Sequence, residues 1–137
     1  MSIEKIIIYF VIFLFIFLIF SNFYAVFLFK RNEKKYDLLL SEFKRNNLEL
    51  DTLTHFSSFM GFFAIYQKII YFVRLRKGVK MYRTKGVLVH KEAYHFMQAR
   101  TSAEIKWILK LHKLYRIIFI LTAFFFILLF ALVHFFH

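Results

Sequence analysis

Two uninterrupted apolar runs frame a middle part of the chain in which apolar and polar residues are interspersed. Residues 6–29, IIIYFVIFLFIFLIFSNFYAVFLF, contain no charge, and neither do residues 117–133, IIFILTAFFFILLFALV. As a helix the first run is about 36 Å long, and the second run together with the next three residues is about 30 Å long. The hydrocarbon core of a bilayer is about 30 Å thick, so either helix could cross it. The pattern predicts transmembrane helices in residues 1–29 and 117–137.

The first apolar run differs from a cleaved signal peptide. Lys5 is the only basic residue before it, and Glu4 offsets that charge. The run is longer than a signal-peptide core of roughly 7–15 residues, and no small-x-small cleavage site follows it. We therefore interpret it as a retained span.

Residues 57–76 repeat their apolar positions with a helical period. At about 100° per residue, aromatic and aliphatic residues collect on one half of the helical wheel. A third span is disfavoured, because Lys68 at the bilayer centre would cost about 2.5–3.5 kcal/mol. This amphipathic helix either lies in the membrane plane or packs on other helices of the insert. The first placement predicts a lipid surface formed by Phe59, Phe62, Phe63, Tyr66, Lys68, Ile69, Arg74, Arg76 and Lys77.

Breaks divide the rest of the middle part. The first span is predicted to continue as a helix that ends at Asn46-Asn47, and Gly78 ends the amphipathic helix. Residues 79–90 have a weak strand-like pattern around Lys85-Gly86, for which a short loop or helical turn fits equally well. Residues 91–100 return to helix.

A capping-box pattern, Thr101 with Glu104, opens the last helix. We expect one helix from about Ser102 to Phe136, amphipathic first and then wholly apolar. Trp107 suits either a headgroup-level aromatic belt or packing on the amphipathic helix. The stripe on the amphipathic part consists of Ile105, Ile108, Leu111 and Tyr115.

Charge predicts the orientation. The net charge is +12, and residues 30–116 hold 19 of the 20 Lys and Arg. Because basic residues stay on the cytoplasmic side, the insert at 30–116 is predicted to be cytoplasmic and both termini outside. The predicted fold is an all-α membrane protein of the bacterial inner (cytoplasmic) membrane. In it, two antiparallel transmembrane helices flank a basic helical cytoplasmic insert that contains an amphipathic interfacial helix.

A few small or polar residues lie within the spans. Small residues let helices approach closely, and an interhelical hydrogen bond adds about 0.6–2 kcal/mol. We predict a helix–helix contact in which Asn22 faces Thr122. In the alternative, Thr122 bonds its own helix and Asn22 faces a second protomer. The predicted contact residues are Ser21, Asn22, Ala25, Thr122 and Ala123.

The residues that would support several other functions are missing or badly spaced. The chain has no Cys, and its spans contain no carboxylate, which disfavours a transporter or channel. His90 and His95 are five residues apart and diverge by about 140° on a helix, so no metal site is predicted. With no nucleophile or base constellation, we expect neither an enzyme nor a cofactor. Orientation and anionic headgroups explain the basic charge more simply than nucleic acid does.

Three segments carry a family resemblance: SNFYAVFLFKRNEKKYDLLL, MGFFAIYQKIIYFVRLRK and YRIIFILTAFFFILLFALVHFFH. Together with the two-span architecture they resemble universal stress protein B and its relatives, which are small two-pass inner-membrane proteins. The resemblance implies a stress-associated membrane role and no catalytic residues. The residues of the first segment that are placed as in that family are Asn22, Tyr24, Asp37 and Leu38.

These patterns predict a non-enzymatic integral inner-membrane protein whose basic region binds anionic lipid headgroups or a protein partner. That partner would be another membrane protein or a second copy in a homo-oligomer. The alternative is a bacteriocin immunity or plasmid or phage exclusion protein, since such proteins are often small, basic and membrane-bound.

Overall fold

The computed structural model describes residues 2–51, 54–55 and 64–136. Within those ranges the chain is mostly helical, as predicted, and one short antiparallel hairpin interrupts the helices. The helices are α1 (Ile3–Arg31), α2 (Glu33–Arg45), α3 (Ile65–Lys77), α4 (Lys91–Gln98) and α5 (Ser102–Phe136). The strands are β1 (Tyr82–Thr84) and β2 (Val87–Leu88).

Helix-terminating residues predicted most boundaries. α2 ends at Arg45 with Asn46 as its C-cap, and α3 ends at Gly78, whose φ of 76° is left-handed. α5 has the predicted bounds, and its Glu104 N–H donates to Thr101 Oγ1 at 3.3 Å, which is the N-cap half of the capping box. The alternation at residues 79–90 forms the hairpin rather than a helical turn.

One boundary differs from the prediction. The first span does not continue unbroken, because α1 ends at Arg31 and Asn32 separates it from α2. The Asn32 Nδ2 amide donates to the Leu28 carbonyl at 2.8 Å.

The chain divides into two compact units, unit 1 (Met1–Phe27 and Lys113–His137) and unit 2 (Leu28–His112). In unit 1, the buried residues of α1 are Val11, Leu14, Leu18 and Ala25, spaced by three, four and seven residues. This is the spacing of a coiled-coil seam. The rings of Phe15 and Phe125 lie 6.0 Å apart, so α1 and α5 pack on each other within this unit.

The other faces of the unit 1 helices are apolar and exposed. α1 and α5 are both long and apolar enough to cross a membrane. Soluble proteins rarely expose apolar surface on this scale. Side chains between 59% and 69% exposed include Phe13, Phe20, Phe23, Phe27, Ile120, Phe126, Ile127 and Phe130.

Unit 2 has a separate aromatic core centred on Phe43. This side chain is fully buried, and the rings of Tyr71, Phe72 and Phe96 meet it edge-on at centroid distances of 5.4–6.1 Å. Such aromatic pairs contribute about 0.5–1.5 kcal/mol each beyond the area they bury. The core thus joins α2, α3 and α4, and the N-terminal part of α5 adds Ile105, Ile108 and Leu111.

Candidate functional site

The apolar face of α3 is buried in protein. Ile69 has no exposed surface, which corrects its predicted place at a lipid surface. The physical reason is that protein covers this face, since the Phe43 ring of α2 meets Phe72 of α3 at a centroid distance of 5.4 Å. A one-sided distribution of apolar residues looks the same in the sequence whether lipid or protein covers the apolar side. Of the other predicted lipid-surface residues, those outside the described ranges are Phe59, Phe62 and Phe63.

Arg76 was also predicted to meet lipid, and the structure gives it a different contact. Its Nη1 lies 3.0, 2.9 and 2.6 Å from the carbonyl oxygens of Met97, Gln98 and Arg100. These carbonyls stand at and just beyond the C-terminus of α4, where a cation also complements the helix dipole. The Arg76 side chain therefore connects α3 to the C-terminal end of α4 by hydrogen bonds.

Lys68 is half-buried beside two rings of unit 2. Its Nζ lies 5.7 Å from the Phe29 ring centroid and 6.0 Å from that of Tyr36, within cation–π range. The Tyr36 hydroxyl is buried without a hydrogen-bond partner among the described residues. Burial, assisted by the charge of Asp37, raises the pKa of Tyr36. Tyr66, on the same helix, is half-buried.

The basic residues that do face outward begin at the end of α3 and continue into the hairpin. Arg74 and Lys77 are exposed, and their predicted contact with lipid stays a prediction. No Asp or Glu occurs between Asp51 and Glu92. We call the exposed basic and large apolar side chains of this region the hairpin surface: Arg74, Lys77, Val79, Lys80, Tyr82, Lys85, Val87, Leu88 and Lys91.

The hairpin surface also exposes apolar side chains, which the sequence pattern did not reveal. Val79, Tyr82, Val87 and Leu88 are between 44% and 54% exposed. Tyr82 and Leu88 are partners across the two strands, so their side chains are neighbours. The weak strand-like alternation in the sequence was consistent with a hairpin. Strands of three and two residues are too short to predict which side chains of that hairpin are exposed.

A pocket of about 340 Å³ lies between the hairpin and α4. The Tyr94 hydroxyl holds its two sides together, because it accepts the Met81 N–H at 3.1 Å and donates to the Val79 carbonyl at 2.7 Å. The pocket wall contains both basic and apolar side chains. Its lining includes Lys80, Lys91, His95, Gln98, Met81 and Leu88.

Two other cavities of unit 2 contain ion pairs. A cavity of about 670 Å³ lies beside the pair of Arg83 with Glu49. A groove of about 340 Å³ between α2 and α5 holds Arg100, whose Nη1 lies 2.8 Å from Glu42 Oε2. Trp107 also lines this groove and is half-buried. In both cavities an acidic group already neutralises an arginine.

Hydrogen bonds of the polar residues within unit 1 run inside their own helices. Asn22 Nδ2 donates to the Leu18 carbonyl at 2.8 Å, and Thr122 Oγ1 donates to the Ile118 carbonyl at 2.7 Å. The structure therefore contains no Asn22–Thr122 hydrogen bond. Among the predicted contact residues, Ala25 is buried, Ser21 and Thr122 are half-buried, and Asn22 and Ala123 are exposed.

No protein-family model matches the chain, and it has no match among curated proteins or solved structures. The resemblance to universal stress protein B therefore stays a prediction made from the sequence.

Proposed function

We propose that the chain is a non-enzymatic integral membrane protein that holds a folded basic domain, unit 2, at the membrane surface, where that domain binds anionic lipid. The observation that carries this proposal is the contrast between the units. Unit 1 exposes large apolar side chains along both of its helices, whereas unit 2 buries an aromatic core of its own. Exposed apolar surface of that extent is favourable only where lipid replaces water.

Charge supports the lipid-binding part of the proposal. Unit 2 contains 17 Lys and Arg against seven Asp and Glu. Each basic residue near an anionic membrane surface contributes about 1 kcal/mol of attraction. A basic excess is also typical of the side of a membrane protein that stays in the cytoplasm. The proposal therefore places unit 2 in the bacterial cytoplasm and both termini across the inner membrane.

Retention of lipid by the purified full chain tests this function. Native mass spectrometry in detergent would compare short-chain phosphatidylglycerol with phosphatidylcholine of the same acyl length. We expect preferential retention of phosphatidylglycerol that weakens as salt rises, because salt screens exposed charges. Equal retention of the two lipids would contradict the proposal.

A stress-associated role, implied by the resemblance, belongs to the same proposal. It predicts that deleting the gene lowers survival under stress, such as in stationary phase, and leaves unstressed growth unchanged. Complementation with the intact gene is the control, and unchanged survival under stress would remove this part of the proposal.

A further inference from the structure

The geometry points to the hairpin surface and its pocket against α4 as the place where unit 2 binds an anionic phospholipid of the bilayer. The lipid phosphate lies among Lys80, Lys91 and His95, and Val87 and Leu88 enter the acyl boundary. This inference rests on the proposed function and names its site.

Apolar exposure is the first observation that supports this site. Val87 and Leu88 are 49% and 48% exposed, although the core of unit 2 buries larger side chains completely. Lys80 Nζ lies 6.0 Å from the centroid of the exposed Tyr82 ring. Apolar side chains beside lysines and an amphipathic aromatic ring form a surface of the kind that inserts at the headgroup boundary.

Unpaired charge is the second observation. Arg74, Lys77, Lys80, Lys85 and Lys91 are exposed and make no ion pair with any described residue. By contrast, Arg83 of β1 is paired with Glu49, and Arg100 is paired with Glu42. No Asp or Glu occurs between Asp51 and Glu92. The hairpin surface is therefore complementary to an anionic layer.

A preformed concave pocket is the third observation. Its volume of about 340 Å³ lies within the usual range of ligand pockets, roughly 300–1,000 Å³. Tyr94 fixes the hairpin to α4 through both the Met81 N–H and the Val79 carbonyl. The pocket lining thus combines basic side chains, Lys80 and Lys91, with apolar ones, Met81 and Leu88.

The occupant is a bilayer lipid rather than an acidic protein surface, because the same chain carries two helices apolar enough to cross a membrane. Those helices would keep unit 2 beside a bilayer at all times. A soluble acidic partner would not require Val87 and Leu88 to be exposed together with the lysines.

Site-specific fluorescence tests this inference in the full chain. Because the chain has no Cys, Val87→Cys introduces a unique site for an environment-sensitive fluorophore. Leu38→Cys is the matched control, since Leu38 is apolar, 60% exposed and on α2. In nanodiscs containing phosphatidylglycerol we expect blue-shifted emission and quenching by spin-labelled lipid at position 87, with neither at position 38. In nanodiscs of phosphatidylcholine alone, position 87 should respond weakly.

A charge variant measures the headgroup contact. The double variant Lys80→Gln/Lys91→Gln should weaken the affinity for short-chain phosphatidylglycerol by about tenfold or more. This affinity is measured by lipid titration with the fluorophore at position 87. The control Lys44→Gln/Lys106→Gln removes the same charge from exposed positions elsewhere in unit 2 and should weaken it much less. Circular dichroism checks that both variants fold.

Every other outcome of these experiments contradicts either the inference or the proposed function. If phosphatidylglycerol is retained but position 87 stays aqueous and both double variants bind alike, the inference fails and the proposed function stands. If the full chain has no preference for phosphatidylglycerol, both fail. If the fluorophore at position 87 responds equally in phosphatidylcholine nanodiscs, the contact with an anionic headgroup is excluded. If glycerol phosphate displaces phosphatidylglycerol, the pocket is assigned to a soluble ligand.

Discussion

At the scale of single residues, Tyr36 illustrates how burial and hydrogen bonding oppose each other in unit 2. Its ring is buried against Phe29 and Phe72, at centroid distances of 5.6 and 6.0 Å. Its hydroxyl has no partner among the described residues, and an unpaired buried donor costs about 1–3 kcal/mol. The ring therefore stabilises the core while the hydroxyl opposes it.

Replacing Tyr36 with Phe should raise the free energy of unfolding by about 1 kcal/mol, because the ring contacts stay and the unpaired hydroxyl is lost. Urea unfolding of the full chain in detergent, followed by near-ultraviolet circular dichroism, measures this. Tyr82→Phe is the control, since the Tyr82 side chain is exposed. A loss of stability on Tyr36→Phe would mean that the hydroxyl has a hydrogen-bond partner in solution.

The same residue predicts a dependence on alkaline pH. Burial raises the pKa of Tyr36, and burial with the nearby Asp51 charge raises that of Tyr71. The unfolded chain therefore ionises first, so stability is complete below about pH 10 and is lost as the pH rises towards the folded-state pKa. The decline above about pH 10 should be shallower in Tyr36→Phe, with Tyr71 responsible for part of the remainder. An identical decline in both proteins would contradict this assignment.

At the scale of elements, the sequence predicted where most helices end, but it did not predict what covers their apolar faces. Gly78 and Asn46-Asn47 act on the adjacent backbone, so the sequence alone identifies the ends of α3 and α2. Whether lipid or protein covers α3 depends on Phe43 of α2, which is distant in sequence. Arg76 likewise bonds carbonyls more than twenty residues away. Local pattern contains no information about either contact.

Gly78 is the clearest test at this scale. Its φ of 76° is left-handed, and an added Cβ would meet Gln98 Nε2 at 3.5 Å, which is ordinary contact. Gly78→Ala should therefore lower the free energy of unfolding by about 1 kcal/mol through backbone strain rather than through a clash. Gly78→Asn should cost less, because Asn tolerates this conformation better. Equal losses for Ala and Asn in urea unfolding would indicate a steric cause instead.

At the scale of the whole molecule, the proposed function depends on which side of the membrane unit 2 occupies. Single cysteines in the otherwise Cys-free chain can be labelled in intact cells with an impermeant maleimide. Ser2→Cys should react in intact cells and Lys85→Cys only after permeabilisation, because the basic insert is expected inside. Both side chains are exposed, so accessibility within the protein is matched. The reverse pattern would invert the topology and contradict the proposed location of unit 2.

The bond from Arg76 to the carbonyls beyond α4 has a consequence for the order in which the chain acquires structure. It closes a loop that runs from the end of α3 through the hairpin and α4, all before α5 begins. Contacts this local in sequence form early and need little loop-closure entropy. We expect this segment to reach its native arrangement during synthesis, while the second apolar helix is still within the ribosome.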